Sequence, residues 1–321
     1  MRRLLASVLL SFCVTGQARA VADPLTVEIQ AKDAQRFAAV FLAAEGRPSA
    51  EQLQRGYLDQ AGPGVAVFMP GRIQDAQNLA RVVARRGQHY RYAIEHCLPQ
   101  LPSLTGDLRA IYLAFAGLQP ERPLPEIQVI FGAGNSGGTA SAETHVQALA
   151  LEVLCPVGTT PEQFRTTLRG FFAHETVHTW QKDATPAQRR DPMLWAALNE
   201  GLCDYLASLV TGQVPMPERG AWARAREAVL WQEFLRDAQT VKAGTDAQGE
   251  MNPAASKTWH RWFANAGSAP PDWPSEAGYW VGMRIAQSYV ARAADKPAAI
   301  RRLIDLDDDL AALLKASAYA P

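Results

Sequence analysis

The sequence predicts an α+β protein, predominantly helical, with a small sheet ahead of a long helix that carries two histidines. Helical periodicity fills most of residues 33–117 and resumes at Thr160. Between these stretches, "PLPEIQVIFGAGNSGGTAS" turns β-branched and then glycine-rich, as a strand and its exit do. The chain has 321 residues, 48% hydrophobic and 20% charged, enough for a large core. Its formal net charge of zero argues against nucleic acid or an anionic membrane as partner.

The first element is a leader. Arg2 and Arg3 precede an apolar run, Leu4 to Val14, and Ala18-Arg19-Ala20 offers small residues for cleavage. We expect a signal peptide over 1–20 and a periplasmic or secreted chain that keeps no stable membrane span. Phe12 before Cys13 is too bulky for a usual lipidation site. Cleavage removes three arginines and leaves 29 basic against 32 acidic groups, about −3 in charge. Residues 21–125 then form a mainly helical region, and 126–321 the metal-binding region, expected as one compact unit with it.

In "DAQRFAAVFLAA", Phe37, Val40, Phe41 and Ala44 share a face and Asp33 is a candidate N-cap. "GPGVAVFMPGRI" reads as a punctuated connection. Arg85–Arg86–Gly87 interrupts the helical pattern that follows. Ile127 to Phe131 is a strand by content, and "HVQALALEVL" is a second candidate, with a helix as its alternative. Thr160-Pro161 and Asp191-Pro192 both read as helix starts, and Gly212 as a stop. Further helices are expected at 218–243, 254–264, 276–293 and 297–316.

"HETVH" carries the chemistry. His174 and His178 lie four apart and share one face of a helix, so two imidazoles can meet one cation. Glu175 beside the first histidine can act as general base on water at the metal. The five-residue pattern alone arises by chance in on the order of one chain in a hundred of this length. The next helix adds weight: "ALNEGLCDY" offers Glu200 as third ligand, across a polar, proline-containing connection. Two histidines and one glutamate leave a position open, as catalytic zinc sites do. Asp204, one turn after Glu200, can accept the second ring N–H of a ligand histidine. Gly201 permits a close helix approach, and Cys203 reads as a small buried group ahead of a fourth ligand.

"HETVH" followed by "NEGLCDY" resembles the gluzincin class of zinc peptidases. The resemblance implies a zincin architecture, one zinc held by His174, His178 and Glu200, and an Asp204 that supports a histidine. "GYLDQAGPGVAVF" (56–68), "VIFGAGNSGGTAS" (129–141) and "EAGYWVGMRIAQSYV" (276–290) look like one group in particular. It is a domain-of-unknown-function family of predicted zinc-dependent proteases related to gliding-motility lipoproteins. The similar segments span nearly all of the chain after the leader.

"GAGNSGG" also satisfies G-x-G-x-x-G, with Glu152 twenty residues from Gly132. About ten residues before the next strand candidate are too few for a crossover helix, so dinucleotide binding is set aside. The loop suits a tight turn or a strand edge that pairs with a peptide. Tyr279 is the candidate donor to a developing oxyanion, with His260 and Tyr205 as competitors. Cys97 and Cys155 are the preferred disulfide, since Cys203 falls in the site helix; three free thiols remain the alternative. The expectation is an exported zinc peptidase acting on a peptide or protein substrate. A zinc-containing binding or assembly protein, and a hydrolase of a non-peptide amide, are the alternatives.

Overall fold

Among the described residues, five α-helices precede the sheet: α1 (Lys32–Ala43), α2 (Ala50–Gly56), α3 (Pro63–Phe68), α4 (Ala76–Tyr92) and α5 (Leu101–Leu118). The computed structural model describes residues 21–306 and 309–321, so the leader and its cleavage site lie outside the described residues. Asp33 does not cap α1. Ala31 holds the cap position without a side-chain bond, and the buried Asp33 carboxylate accepts the Gly62 N–H at 3.1 Å, tying α1 to the start of α3. The expected connection at 62–73 is helical, as α3 and a π-type turn over Met69–Ile73. Pro63 sits in its first turn, where proline is tolerated, and Val65 and Phe68 gain full burial beneath the sheet. The expected break in α4 is a kink at Arg86 (φ −118°, ψ 23°) inside one helix.

The sheet has three strands: β1 (Glu126–Ile130), β2 (Gly138–Ser141) and β3 (Val146–Ala150). Their order is β1-β3-β2; β1 runs parallel to β3 with Val129 opposite Leu149, and β2 runs antiparallel with Gly138 opposite Leu149. Strand β2 falls within the stretch read as a glycine loop and had no strand signal, because its side chains are small and its pairing comes from β3. The second strand candidate divides: β3 ends at Ala150 and a short helix, α6 (Leu151–Leu154), follows. Cys155 then pairs with Cys97 across 58 residues.

Next come α7 (Pro161–His178), α8 (Pro186–Arg189) and α9 (Pro192–Thr211). Thr160 and Gln163 form a capping box on α7, and Gly212 ends α9 in the left-handed conformation. Asp191 makes no cap bond; its carboxylate takes Lys242 Nζ at 2.8 Å. The expected helix at 218–243 divides into α10 (Pro217–Arg224) and α11 (Glu227–Ala243). After α12 (Pro253–His260) and α13 (Ala277–Arg292), the last one divides into α14 (Lys296–Asp305) and α15 (Leu310–Ser317). Leu306 takes φ 44° at the end of α14. No helix among the described residues is long and apolar enough to cross a membrane.

Two hydrophobic clusters result. One joins α1 and α4 to the sheet and α7, through Phe37, Phe41, Tyr90, Phe131, Leu149 and Phe172. The other gathers Leu198, Phe234, Trp262, Trp280 and Val281 from the later helices. Helices α9 and α13 contribute to both, and the histidine pair stands beside them.

Candidate metal centre

Helix α7 buries Phe164, Leu168, Phe172, Thr176 and Val177, which leaves His174 and His178 on the face toward α9. Thr176 Oγ1 receives Gln147 Nε2 at 3.0 Å, fixing α7 against β3. The structure brings Glu200 of α9 to this face. His174 Nε2 lies 3.1 Å from His178 Nε2 and 3.3 Å from Glu200 Oε2, and His178 Nε2 lies 3.2 Å from Glu200 Oε2. The three atoms form a near-equilateral triangle. The three side chains keep 14%, 20% and 24% exposure, so the group is not fully sealed from solvent.

The hydrogen bonds behind the rings set their tautomers. Asp204 Oδ1 lies 3.0 Å from His174 Nδ1, and Gln181 Oε1 lies 2.6 Å from His178 Nδ1. Gln181 donates through Nε2 to Asn199 O at 2.7 Å, which turns its oxygen toward the ring. Each Nδ1 therefore donates, and in the neutral ring each Nε2 presents a lone pair toward the Glu200 carboxylate. Three acceptors converging without a shared proton repel one another, and a cation relieves this. The donor set fits a metal ion.

The electrostatics agree. Burial opposes charge on both rings, yet Cys203, Asp204 and Glu200 around them raise both imidazoles well above their ordinary range. Burial likewise opposes charge on Glu200, and the two histidines outweigh it and hold its carboxyl below the usual range. The pocket favours positive charge.

Cys203 is buried with a free thiol, and His174, His178 and Cys203 have ligand atoms within 4.8 Å of one another, close enough to hold one metal ion. Its Sγ stands 3.5 Å from His178 Nδ1 and 3.3 Å from Asn199 O. That is the ring nitrogen bonded to Gln181, not the one that meets Glu200. The tighter set is therefore the triangle with Glu200, and Cys203 lies behind it.

Glu175 is buried on α7 against β2; a Cβ on Gly138 would stand 2.5 Å from its Oε1. Burial first, and Glu200 in addition, raise its carboxyl above the usual range. The Tyr279 ring of α13 stacks on His174, centroids 6.0 Å apart and planes 12° from parallel. Burial, with Glu200 and Glu276 nearby, raises its phenol, so the hydroxyl keeps its proton. His260 is exposed at the end of α12 beside Trp259, and Tyr205 packs between the two clusters.

Sequence reasoning missed two residues. Gln181 follows the motif by three positions and orients His178. Arg219 of α10 is 2% exposed and pairs with Asp204 Oδ2, while its guanidinium lies 5.5 Å from the Tyr279 ring centroid. Fifteen residues and a turn separate Arg219 from Asp204, so no local pattern announced it. Compared with known proteins, the chain matches no family model, no curated protein and no solved structure.

Proposed function

We propose that the chain is a zinc-dependent hydrolase that cleaves peptide bonds. The observation that carries this reading is the triangle of His174 Nε2, His178 Nε2 and Glu200 Oε2, with edges of 3.1, 3.3 and 3.2 Å. Tetrahedral zinc with bonds of about 2.0–2.1 Å spaces its ligands about 3.3–3.4 Å apart. Zinc held there would polarise a carbonyl and acidify water beside it. A set completed by Cys203 would be closed, whereas three ligands leave a fourth position for water or substrate.

The protein's own groups supply the remainder. Glu175, with a carboxyl raised by burial, takes the proton of the attacking water and passes it to the leaving nitrogen. The Tyr279 hydroxyl, protonated and beside His174, donates to the carbonyl oxygen as charge builds there. Strand β2 is an outer strand of the sheet, and Glu175 packs on its first residue. An extended peptide added along that edge would run past the triangle, which favours a peptide over a small amide. The buried Cys97–Cys155 disulfide and the leader-like first twenty residues support an exported location.

Glu175→Gln tests the reading. Gln keeps the shape but cannot act as a base. With equal zinc content and matching circular dichroism, hydrolysis of a peptide library should fall by roughly 10²–10⁴-fold. Unchanged hydrolysis removes Glu175 from the mechanism, and a zinc-loaded parent that cleaves no peptide removes the peptidase reading.

A further inference from the structure

A cavity of about 310 Å³ lies between the end of α9, α10, α11 and α13, and it shares no lining residue with the metal centre. Trp280 and Met283 of α13 are buried in its wall, and Val214 and Pro215 from the α9–α10 connection line it as well. Leu209, Val214, Met216 and Val229 are exposed apolar residues, each in this wall or within two residues of it. Apolar surface gathered around a concavity favours a ligand with an apolar body.

The polar part of the wall carries an unbalanced charge. Arg284 donates through Nε to Glu227 Oε1 at 2.9 Å and through Nη1 to Gln287 Oε1 at 2.7 Å. The Tyr319 hydroxyl gives the same Glu227 oxygen a further bond at 2.9 Å. Glu227 is thus already paired. Arg224, in the last turn of α10, has no ion pair or hydrogen bond among the described residues. Two arginines against one glutamate leave the wall with a net positive charge.

A buried donor faces the same space. Trp280 is 2% exposed, and its indole N–H has no acceptor among the described residues, yet its nitrogen is not sealed from solvent. At Gly220 of α10 a Cβ would stand 3.9 Å from Trp280 Nε1 and 3.8 Å from Val214 Cγ1. The N–H therefore lies beside Val214, at the cavity wall. An acceptor entering the cavity can bond it without any rearrangement of the helices.

We propose that this cavity binds a small amphipathic carboxylate. Arg224 and the Trp280 N–H take its head, and Trp280, Met283, Val214 and Pro215 cover its hydrocarbon body. The guanidinium fork matches the two carboxylate oxygens, and the indole nitrogen can only donate, so both groups call for an acceptor. A mainly apolar hollow of this size with a few convergent polar groups is the usual form of a small-ligand site. The proposal does not depend on the peptidase reading.

The test titrates octanoate, octanamide and acetate into the full chain by calorimetry. One equivalent of octanoate should bind, about 10- to 100-fold more tightly than octanamide, which lacks the charge, or acetate, which lacks the apolar body. Arg224→Gln and Trp280→Phe should each lower octanoate affinity toward that of octanamide. Arg224 is exposed, so its replacement spares the fold, and circular dichroism checks Trp280→Phe, which keeps a ring and removes the N–H. Carboxylates also ligate metals, so His178→Ala, freed of zinc, is titrated as well and should bind octanoate as the parent does. A diazirine-bearing octanoate should label residues 208–216, 224–227 or 280–287 in peptide mass mapping. The proposal is overturned if octanoate binds no more tightly than octanamide or acetate, or if either cavity variant binds as the parent does. It is equally overturned if His178→Ala abolishes binding or the label lands elsewhere. None of these outcomes changes with whether the chain cleaves peptides.

Discussion

Gly282 of α13 lies directly on the carbonyl oxygen of Ala197 in α9, with no room for a Cβ between them. Gly201, one turn further along α9, meets the backbone of Gly282 and Met283 in the same way. The two helices therefore cross in backbone contact. Glu200 neighbours Gly201, and Tyr279 lies one turn before Gly282, so this crossing delivers both to His174.

Gly282→Ala should force the helices apart. Overpacking typically costs about 1–3 kcal/mol, and a backbone neighbour that cannot move places this case at the upper end or beyond. Urea unfolding should show the loss, and zinc affinity should fall with it. A stability equal to the parent's would show that the crossing tolerates a methyl group.

His178→Ala removes one corner of the triangle. The variant should lose zinc during dialysis against a weak chelator that leaves the parent loaded. Metal analysis by mass spectrometry decides. Cys203→Ser, by contrast, should keep its zinc, because the thiol lies behind His178 and not on the triangle.

Asp204 connects His174 to Arg219. Asp204→Asn should weaken zinc affinity or activity by about 10–100-fold, the usual scale for a group that orients a metal ligand. Arg219→Met leaves the buried Asp204 carboxylate without its cation and should destabilise the fold by about 3–5 kcal/mol. A double variant, Asp204→Asn with Arg219→Met, should recover part of that loss in chemical denaturation, since no uncompensated charge remains. Additive losses would show that the two residues act separately.

Glu152 makes stability depend on pH. Burial pushes its carboxyl up to about 7, against the opposing pull of the Gly132 and Gly134 N–H groups and Arg86. The folded state holds the proton more tightly than the unfolded one. The resulting stabilisation is complete below about pH 4.5 and is lost as pH rises through about 7, up to about 3 kcal/mol in all. Glu152→Gln imitates the protonated form. Its unfolding free energy relative to the parent should rise between pH 5 and pH 8. A parent-to-variant difference that stays flat over this range would refute the assignment.

Reducing the Cys97–Cys155 bond frees a 58-residue loop in the unfolded chain. Loop-closure entropy puts the cost at about 4 kcal/mol. The double variant Cys97→Ser, Cys155→Ser should show it as a lower urea midpoint, with zinc content unchanged in the folded protein.

The metal motif was legible because helix geometry alone decides which residues share a face. His174 and His178 need only a helix to become neighbours, and Thr160-Pro161 signalled where that helix begins. Long helices with apolar stripes were legible for the same local reason. Strand β2 was not, since Gly138–Ser141 becomes a strand by bonding to β3 and its own side chains favour nothing in particular. Nor was α3, where burial of Val65 and Phe68 overrides a sequence full of glycine and proline. Glu200 was nameable as a candidate ligand, but the helix crossing at Gly282 is what brings Tyr279 onto His174. Gln181 and Arg219 take their places only in the folded chain. Their side chains meet partners across elements whose arrangement is set by packing and not by spacing in sequence.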